Sequence, residues 1–382
     1  MKRSITLLPI FVLFHLISCA QAMPEMKLVK GGNTVIGGGY QYEIQGYSMI
    51  YIGQDQSFQQ INRKGIAIGE VPMPNNPQKK VSVSDFQLGE SEVTNAQYRE
   101  FVLAMVLKAD ERKTFDRELK IASKKNESVR QLWQPIFESA AAKGILPDSA
   151  CWTTDFVFSY NKPLTANYFW HPAFDDYPVV GATWKQAKAY CDWLSKVSKS
   201  KRAQKGLPAL PNYRLPTEAE WEFAALSGGH TQEEVYRRQV FPWNGNNVFD
   251  DKGRYLANIK PSPRNYIDDG YEYTAPVKSF PANEMGLYDM AGNVSEWCED
   301  VFIVYSAPID MNPSRENRDQ IQLFYDDEDA NKVWDMKRVA KGGSWAEFQY
   351  GAQCGSRMGW EEAKGSSRIG FRVARTIAAK QD

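Results

Sequence analysis

Two carboxylates, Asp289 and Glu296, bracket Gly292, Asn293 and Val294 in one short segment of the chain. The Gly292-Asn293 pair permits a tight bend there, which lets the carbonyls of Gly292 and Val294 turn inward beside the acids. Carboxylates and carbonyls together make a hard, oxygen-rich set of the kind calcium takes. The same acids could instead cap turns and pair with arginines, and their spacing does not choose between the two uses. Softer chemistry has less to work with. Besides Cys19 there are four cysteines, Cys151, Cys191, Cys298 and Cys354, with no CxxC spacing. In an oxidising compartment they could pair in any of about three ways or remain thiols. Only His171 and His230 lie beyond the first 18 residues, which argues against a zinc site or a histidine-dependent triad.

Cys19 stands apart from the other thiols. Lys2 and Arg3 precede an apolar run over residues 5–17 that ends in Leu16-Ile17-Ser18-Cys19. A positive start, a short apolar stretch and small residues before a cysteine make a secretory leader with a lipobox, so export, lipid attachment to Cys19 and cleavage just before it are expected. A spanning helix would need roughly 18 to 20 apolar residues, more than this run supplies. Ala20 and Gln21 carry no acidic retention signal, and the expected address is the periplasmic face of the outer membrane. The 46 basic and 46 acidic residues become 44 and 46 once Lys2 and Arg3 are removed. From that near-neutral balance no overall electrostatic field for nucleic acid or for a membrane surface follows.

These residues must be positioned by a body of 364 residues that no low-complexity linker divides, so one large domain with extensions is expected. Residues 1–18 form the leader and residues 19–80 a lead-in, rich in Gly, Tyr and Gln, with β-like pieces such as Ser48-Met49-Ile50-Tyr51-Ile52. Residues 81–382 form the domain, opening on the alternation Val81-Ser82-Val83-Ser84-Asp85-Phe86, which reads as a half-buried strand. Three helix starts carry capping boxes: Thr94 with Gln97, Thr183 with Gln186, and Thr217 with Glu220. Behind Thr183, Trp184, Ala187, Cys191 and Leu194 share a face, which makes Cys191 a buried core thiol. Two insertions stand out. Residues near 105–150 read as one or two amphipathic helices with a solvated basic face, and residues near 305–339 as an acidic loop with some helix.

Six motifs occur in an order that resembles the formylglycine-generating-enzyme (sulfatase-modifying factor) family. They are Glu92-Val93-Thr94-Asn95-Ala96-Gln97-Tyr98, Tyr177-Pro178-Val179-Val180-Gly181-Ala182-Thr183-Trp184, Tyr213-Arg214-Leu215-Pro216-Thr217-Glu218-Ala219-Glu220-Trp221-Glu222, Gly286-Leu287-Tyr288-Asp289-Met290-Ala291-Gly292-Asn293-Val294-Ser295-Glu296-Trp297, Gly342-Gly343-Ser344-Trp345 and Gly370-Phe371-Arg372. The resemblance implies an α+β fold, a variant of the C-type lectin fold, with short strands, few helices and much irregular backbone. It also implies calcium at Asp289, Gly292, Val294 and Glu296, and a second calcium position at Asn258, the Ile259 carbonyl, Asp269 and the Tyr271 carbonyl. Active members hold Cu(I) between two cysteine thiolates that follow the Gly-Gly-Ser-aromatic motif five residues apart. Here those places are taken by Glu347 and Ala352. Neither is a copper ligand, and Cys354 alone cannot replace the pair. No catalytic residue and no copper are therefore expected, and Glu347 reads as a polar surface or loop residue.

Two further segments, residues 168–180 and 268–281, together with the lipobox, resemble the type IX secretion and gliding-motility lipoproteins of the PorK/GldK type. That resemblance implies a non-catalytic subunit of a periplasmic ring, tethered through the lipid on Cys19. Its partners would be further copies of itself and a PorN/GldN-type periplasmic protein. The rival expectations are another surface lipoprotein with lectin-like binding, and a divergent oxidase-like enzyme using Cys354 or His171.

Overall fold

Strand β1 (Met26–Val29) enters the main sheet directly, so residues placed in a lead-in by the sequence reading are part of the domain's own architecture. The structure is a computed structural model that describes residues 23–37, 48–51, 58–61, 79–122, 126–156, 161–228, 239–245, 247–262, 266–302 and 337–377. After β1 come β2 (Gly32–Ile36), the hairpin β3 (Ser48–Tyr51) and β4 (Phe58–Ile61), then β5 (Lys79–Val83) and β6 (Phe86–Gly89). The boundary expected at Val81 thus falls inside β5, which pairs antiparallel with β2. The run expected as one strand over residues 81–86 is broken at Ser84-Asp85. There the Asp85 carboxylate accepts the Gly31 N–H at 2.9 Å and ties the two strand pairs together.

Helix α1 (Asn95–Val106) follows, then the inserted pair α2 (Ala109–Ala122) and α3 (Asn126–Ala142), and two short helices, α4 (Cys151–Thr154) and α5 (Lys162–Asn167). The long α6 (Trp184–Gln204), β7 (Tyr213–Arg214) and α7 (Glu218–Ala225) lead to a stretch of irregular backbone. The chain closes with β8 (Ser295–Val301), β9 (Lys337–Lys341), β10 (Arg357–Glu361), β11 (Ile369–Gly370) and β12 (Ala374–Thr376). One four-stranded sheet runs β1-β6-β12-β7 and the other β10-β9-β8-β11. This is the expected α+β architecture of short strands and few helices. The first insertion is helical as expected; the second falls mostly on residues outside those described.

All three expected capping boxes form. Thr94, Thr183 and Thr217 each accept the amide three residues on, while Gln97, Gln186 and Glu220 return a bond to the cap N–H. Each such cap contributes about 1 kcal/mol and fixes where its helix begins. The starts matter because α1 and α6 then meet ring to ring: Tyr98 stacks on Tyr190 at 5.7 Å and Phe101 meets Tyr190 edge-on at 5.9 Å. Ala187, Cys191 and Leu194 are buried on that face as read from sequence. Trp184 lies at its margin, where its indole donates to the Cys298 carbonyl and Arg338 stacks on its ring. Phe115 and Trp133 hold the inserted helices together, and Phe137 carries the contact on to Phe169.

Candidate functional site

Among the described residues between α7 and β8 the strand-like pairing is the single bridge of Phe249 with Tyr255, so side chains and tight turns must satisfy the other amides. Gly292 is where three loops close. Its φ of +75° suits glycine, and a Cβ there would stand 2.1 Å from the Asn258 carbonyl oxygen. That closeness lets Asn293 donate its amide to the Asn258 carbonyl at 2.7 Å. The Asn293 side chain then accepts from the Ala275 N–H and donates to Glu92.

Around this knot the eight expected calcium positions come together as two groups with different chemistry. In the first, Asp269 accepts the Ile259 and Tyr271 amides at 2.8 and 3.1 Å, which brings Asn258, Ile259, Asp269 and Tyr271 into one loop cluster. The Asn258 side-chain oxygen is buried and has no hydrogen-bond partner, while its amide nitrogen donates to the Tyr273 carbonyl and to Asn293. Burial pushes the Asp269 carboxyl up to about 6 against the two amides that favour its charge. An orphaned amide oxygen and a desolvated carboxylate in one loop cluster are groups that a hard cation would suit. Among the described residues no three or more His, Cys, Asp and Glu side chains are grouped to hold a metal. A cation here would therefore rest on amide and carbonyl oxygens with one carboxylate.

In the second group a buried cation, Arg372, already stands against the acids. Glu296, expected as a ligand, has both oxygens occupied: Arg372 reaches one through Nε at 2.5 Å and the other through Nη2 at 2.6 Å, and the Trp221 indole donates at 2.8 Å. Asp289 accepts the Lys278 amide at 2.7 Å, and burial raises its carboxyl above the usual range. The physical reason for the departure is Arg372, a fully buried cation that arrives from the far end of the chain and needs a counter-charge. Of the two uses open to these acids, pairing with arginine is the one Glu296 adopts. Glu92 completes the cluster, its carboxyl driven well above the ordinary range by burial first and then by Asp289 and Glu296.

A third locus lies where active relatives would carry the copper thiols. Glu347 is a polar loop residue, as expected, and it is fully engaged by its neighbours. Its carboxylate takes the Arg368 guanidinium at 3.0 Å and the Ser344 hydroxyl, and its carbonyl accepts the Lys260 amide. Ala352 is fully buried against Val240, Phe241 and Ile259. Cys354 is fully buried too, in the cluster that holds Trp221, Met290 and Cys298. None of the four cysteines beyond Cys19 is in a disulfide. Burial drives the thiols of Cys151, Cys191 and Cys298 upward, away from the reactive thiolate. His171 caps a 3₁₀ turn, its Nδ1 accepting the Ala173 amide. Cys19 lies outside the described residues.

Sequence reading did not identify Arg372, Glu92 or Arg368 as members of these clusters. Arg372 and Glu92 both sat in quoted motifs, Gly370-Phe371-Arg372 and Glu92-Val93-Thr94. An arginine flanked by residues as apolar as Phe371 and Val373 was the available signal that it is buried and paired.

Comparison with known proteins supplies the remaining context. The formylglycine-generating enzyme of Mus musculus is 28% identical over 313 residues, covering 78% of this chain and 68% of the relative. The inactive C-alpha-formylglycine-generating enzyme 2 of Bos taurus is 31% identical over 205 residues, covering 52% of this chain and 50% of the relative. The structure of PvdO from Pseudomonas aeruginosa aligns with a TM-score of 0.51 at 21% identity, covering 94% of this chain and 96% of that one. At that identity the likeness speaks for the fold alone. Active and inactive proteins thus both stand among the relatives. Residues 15–377 match the sulfatase-modifying factor enzyme 1-like domain, and the chain belongs to that family.

Proposed function

We propose that this protein is a non-catalytic structural lipoprotein, a ring-building subunit of the type IX secretion and gliding machinery. It is held on the periplasmic face of the outer membrane by a lipid on Cys19, and it assembles with copies of itself and with a PorN/GldN-type periplasmic protein. The observation that carries the non-catalytic reading is the state of Glu347 and Ala352. A carboxylate committed to Arg368 and Ser344, and a methyl sealed in the core, stand where two thiolates would have to meet a soft metal. The ring and its partner are supported by the lipobox and by the segments at residues 168–180 and 268–281. In this reading calcium is a structural ion held by Asn258, Ile259, Asp269 and Tyr271, and it draws together loops that contribute few ladder bonds.

Gentle extraction of the native protein from membranes, followed by mass measurement and identification of what co-purifies, tests the assignment. A megadalton-scale assembly with one stoichiometric periplasmic partner is expected. A lone monomer that consumes oxygen with a thiol peptide, or binds sugars, overturns it.

A further inference from the structure

The last turn of α6 and the loop that follows it leave the body of the domain. Ser198 is the last buried residue of the helix, and none of residues 199–212 is buried. This arm has an unusual composition. Between Asp192 and Glu218 there is no acidic residue, while Lys196, Lys199, Lys201, Arg202 and Lys205 fall within ten positions. Lys196, Lys199 and Lys205 are exposed. Cations at a helix C-terminus are favoured by the helix dipole, which accounts for one or two of them but not for five.

The tip is ordered by its own hydrogen bonds. Gly206, at φ +65°, donates to the Ala203 carbonyl, and Leu207 donates to the Arg202 carbonyl at 2.9 Å. This is a Schellman cap, in which the residue in the place of Leu207 ordinarily packs on an apolar side chain one turn back. Here that turn offers Lys201 and Arg202, and Arg202 reaches over to the Pro208 carbonyl at 2.6 Å. Leu207 is therefore left 46% exposed. It heads the run Leu207-Pro208-Ala209-Leu210-Pro211, in which no side chain carries a hydrogen-bonding group.

We infer that this arm is a docking surface for an anionic bilayer, with the lysines lying among lipid phosphates and Leu207 and its neighbours entering the headgroup region. Lysine is a compact point charge that suits many interchangeable phosphates. Protein partners are instead gripped by buried Trp, Tyr and Arg anchors. The tip has no aromatic residue, and its one arginine is already bonded to the loop. An apolar tip at the end of a lysine-rich arm is an arrangement by which surface elements bind membranes. The inference rests on the placement of the protein at a membrane, but its test does not use the lipid on Cys19.

The chain beginning at Ala20 keeps every described residue and lacks both leader and lipid. Its partition onto vesicles of phosphatidylethanolamine with one quarter phosphatidylglycerol is compared with that onto neutral phosphatidylcholine vesicles by co-sedimentation at low and high salt. Preferential binding to the anionic vesicles that weakens with salt is expected. The exposed lysines contribute about fivefold each, so Lys196→Gln, Lys199→Gln and Lys205→Gln together lower it about a hundredfold. Leu207→Asp lowers binding with the lysines intact. Equal partition onto both vesicle types, or unchanged binding by the triple variant with its circular dichroism preserved, overturns the inference. Loss of palmitate labelling in Cys19→Ala, measured separately on the full chain, reports on lipidation alone.

Discussion

Replacing Arg372 by methionine removes the counter-charge from Glu296, a fully buried acid. Arg372 and Glu296 are both fully buried, and the guanidinium also donates to the Gly89 and Tyr288 carbonyls. In Arg372→Met the Glu296 carboxylate keeps only the Trp221 indole, with Glu92 and Asp289 close enough to repel it. Orphaning a buried charge costs about 3–5 kcal/mol, and each unpaired carbonyl about 1 kcal/mol more. A loss of about 5 kcal/mol is expected, which lowers the unfolding midpoint by about 6–7 °C in a domain of this size. Adding Glu296→Gln removes the stranded charge while keeping an acceptor for Trp221, so the double variant should recover about half of the loss. Urea unfolding of the four members of the cycle, followed by circular dichroism, measures these terms. A single variant that loses less than about 2 kcal/mol, or a double variant no more stable than Arg372→Met, refutes the reasoning. So does recovery of Arg372→Met by millimolar calcium, because Glu296 would then be acting as a metal ligand.

Three other perturbations read different parts of the site. Burial raises the Glu90 carboxyl, but hydrogen bonds involving Glu25, Lys27 and Lys278 outweigh it and hold Glu90 down at about 2. Because the folded value lies below the unfolded one, the stabilisation, about 3 kcal/mol, is complete above roughly pH 5 and is lost as the pH falls toward 2. Glu90→Gln should flatten that limb of the acid-unfolding profile, and an unchanged profile would count against the Lys27 and Lys278 pairing. Gly292→Ala forces a Cβ to within 2.1 Å of the Asn258 oxygen at positive φ, and about 3 kcal/mol or more should be lost in a denaturant titration. Chelation should lower the thermal midpoint, since a structural ion at a hundredfold excess over its dissociation constant contributes about 2.7 kcal/mol. Asp269→Asn should abolish the response to chelator and Glu296→Gln should leave it, and the reverse pattern would exchange the roles of the two groups.

What could be read from the sequence was local. Each capping box spans four residues and announces itself in a Thr followed by Gln or Glu, and all three formed. The buried face of α6 followed from residues one turn apart. The pairing of β1 with β6 joins positions about sixty residues apart in strands of four residues, too short for alternation to register, and these residues were set aside as a lead-in. The two groups of acids divide along the same line. Asp269 bonds amides two and ten residues away, so its neighbourhood was within reach of a pattern. Glu296 is claimed by Arg372, seventy-six residues on, and no local spacing could reveal that its oxygens were already spent.

The same separation bears on the non-catalytic reading proposed for this protein. Arg372 joins three distant stretches, at Gly89, at Tyr288 with Glu296, and at its own strand end. A second buried pair, Lys341 with Glu222 at 2.9 Å, also holds the Gly37 amide through Glu222 and so fixes the N-terminal strands to α7. Neither hub passes through position 347 or 352. The frame around those two positions is set by Gly343 and Gly351, whose backbones approach too closely for a side chain between them, and by the Ser344 and Arg368 bonds to Glu347. A carboxylate at position 347 needs a cation in reach, and Arg368 supplies it. The bonds that hold the fold and the residues at positions 347 and 352 are therefore separate sets, which is the physical condition the proposed non-catalytic reading needs.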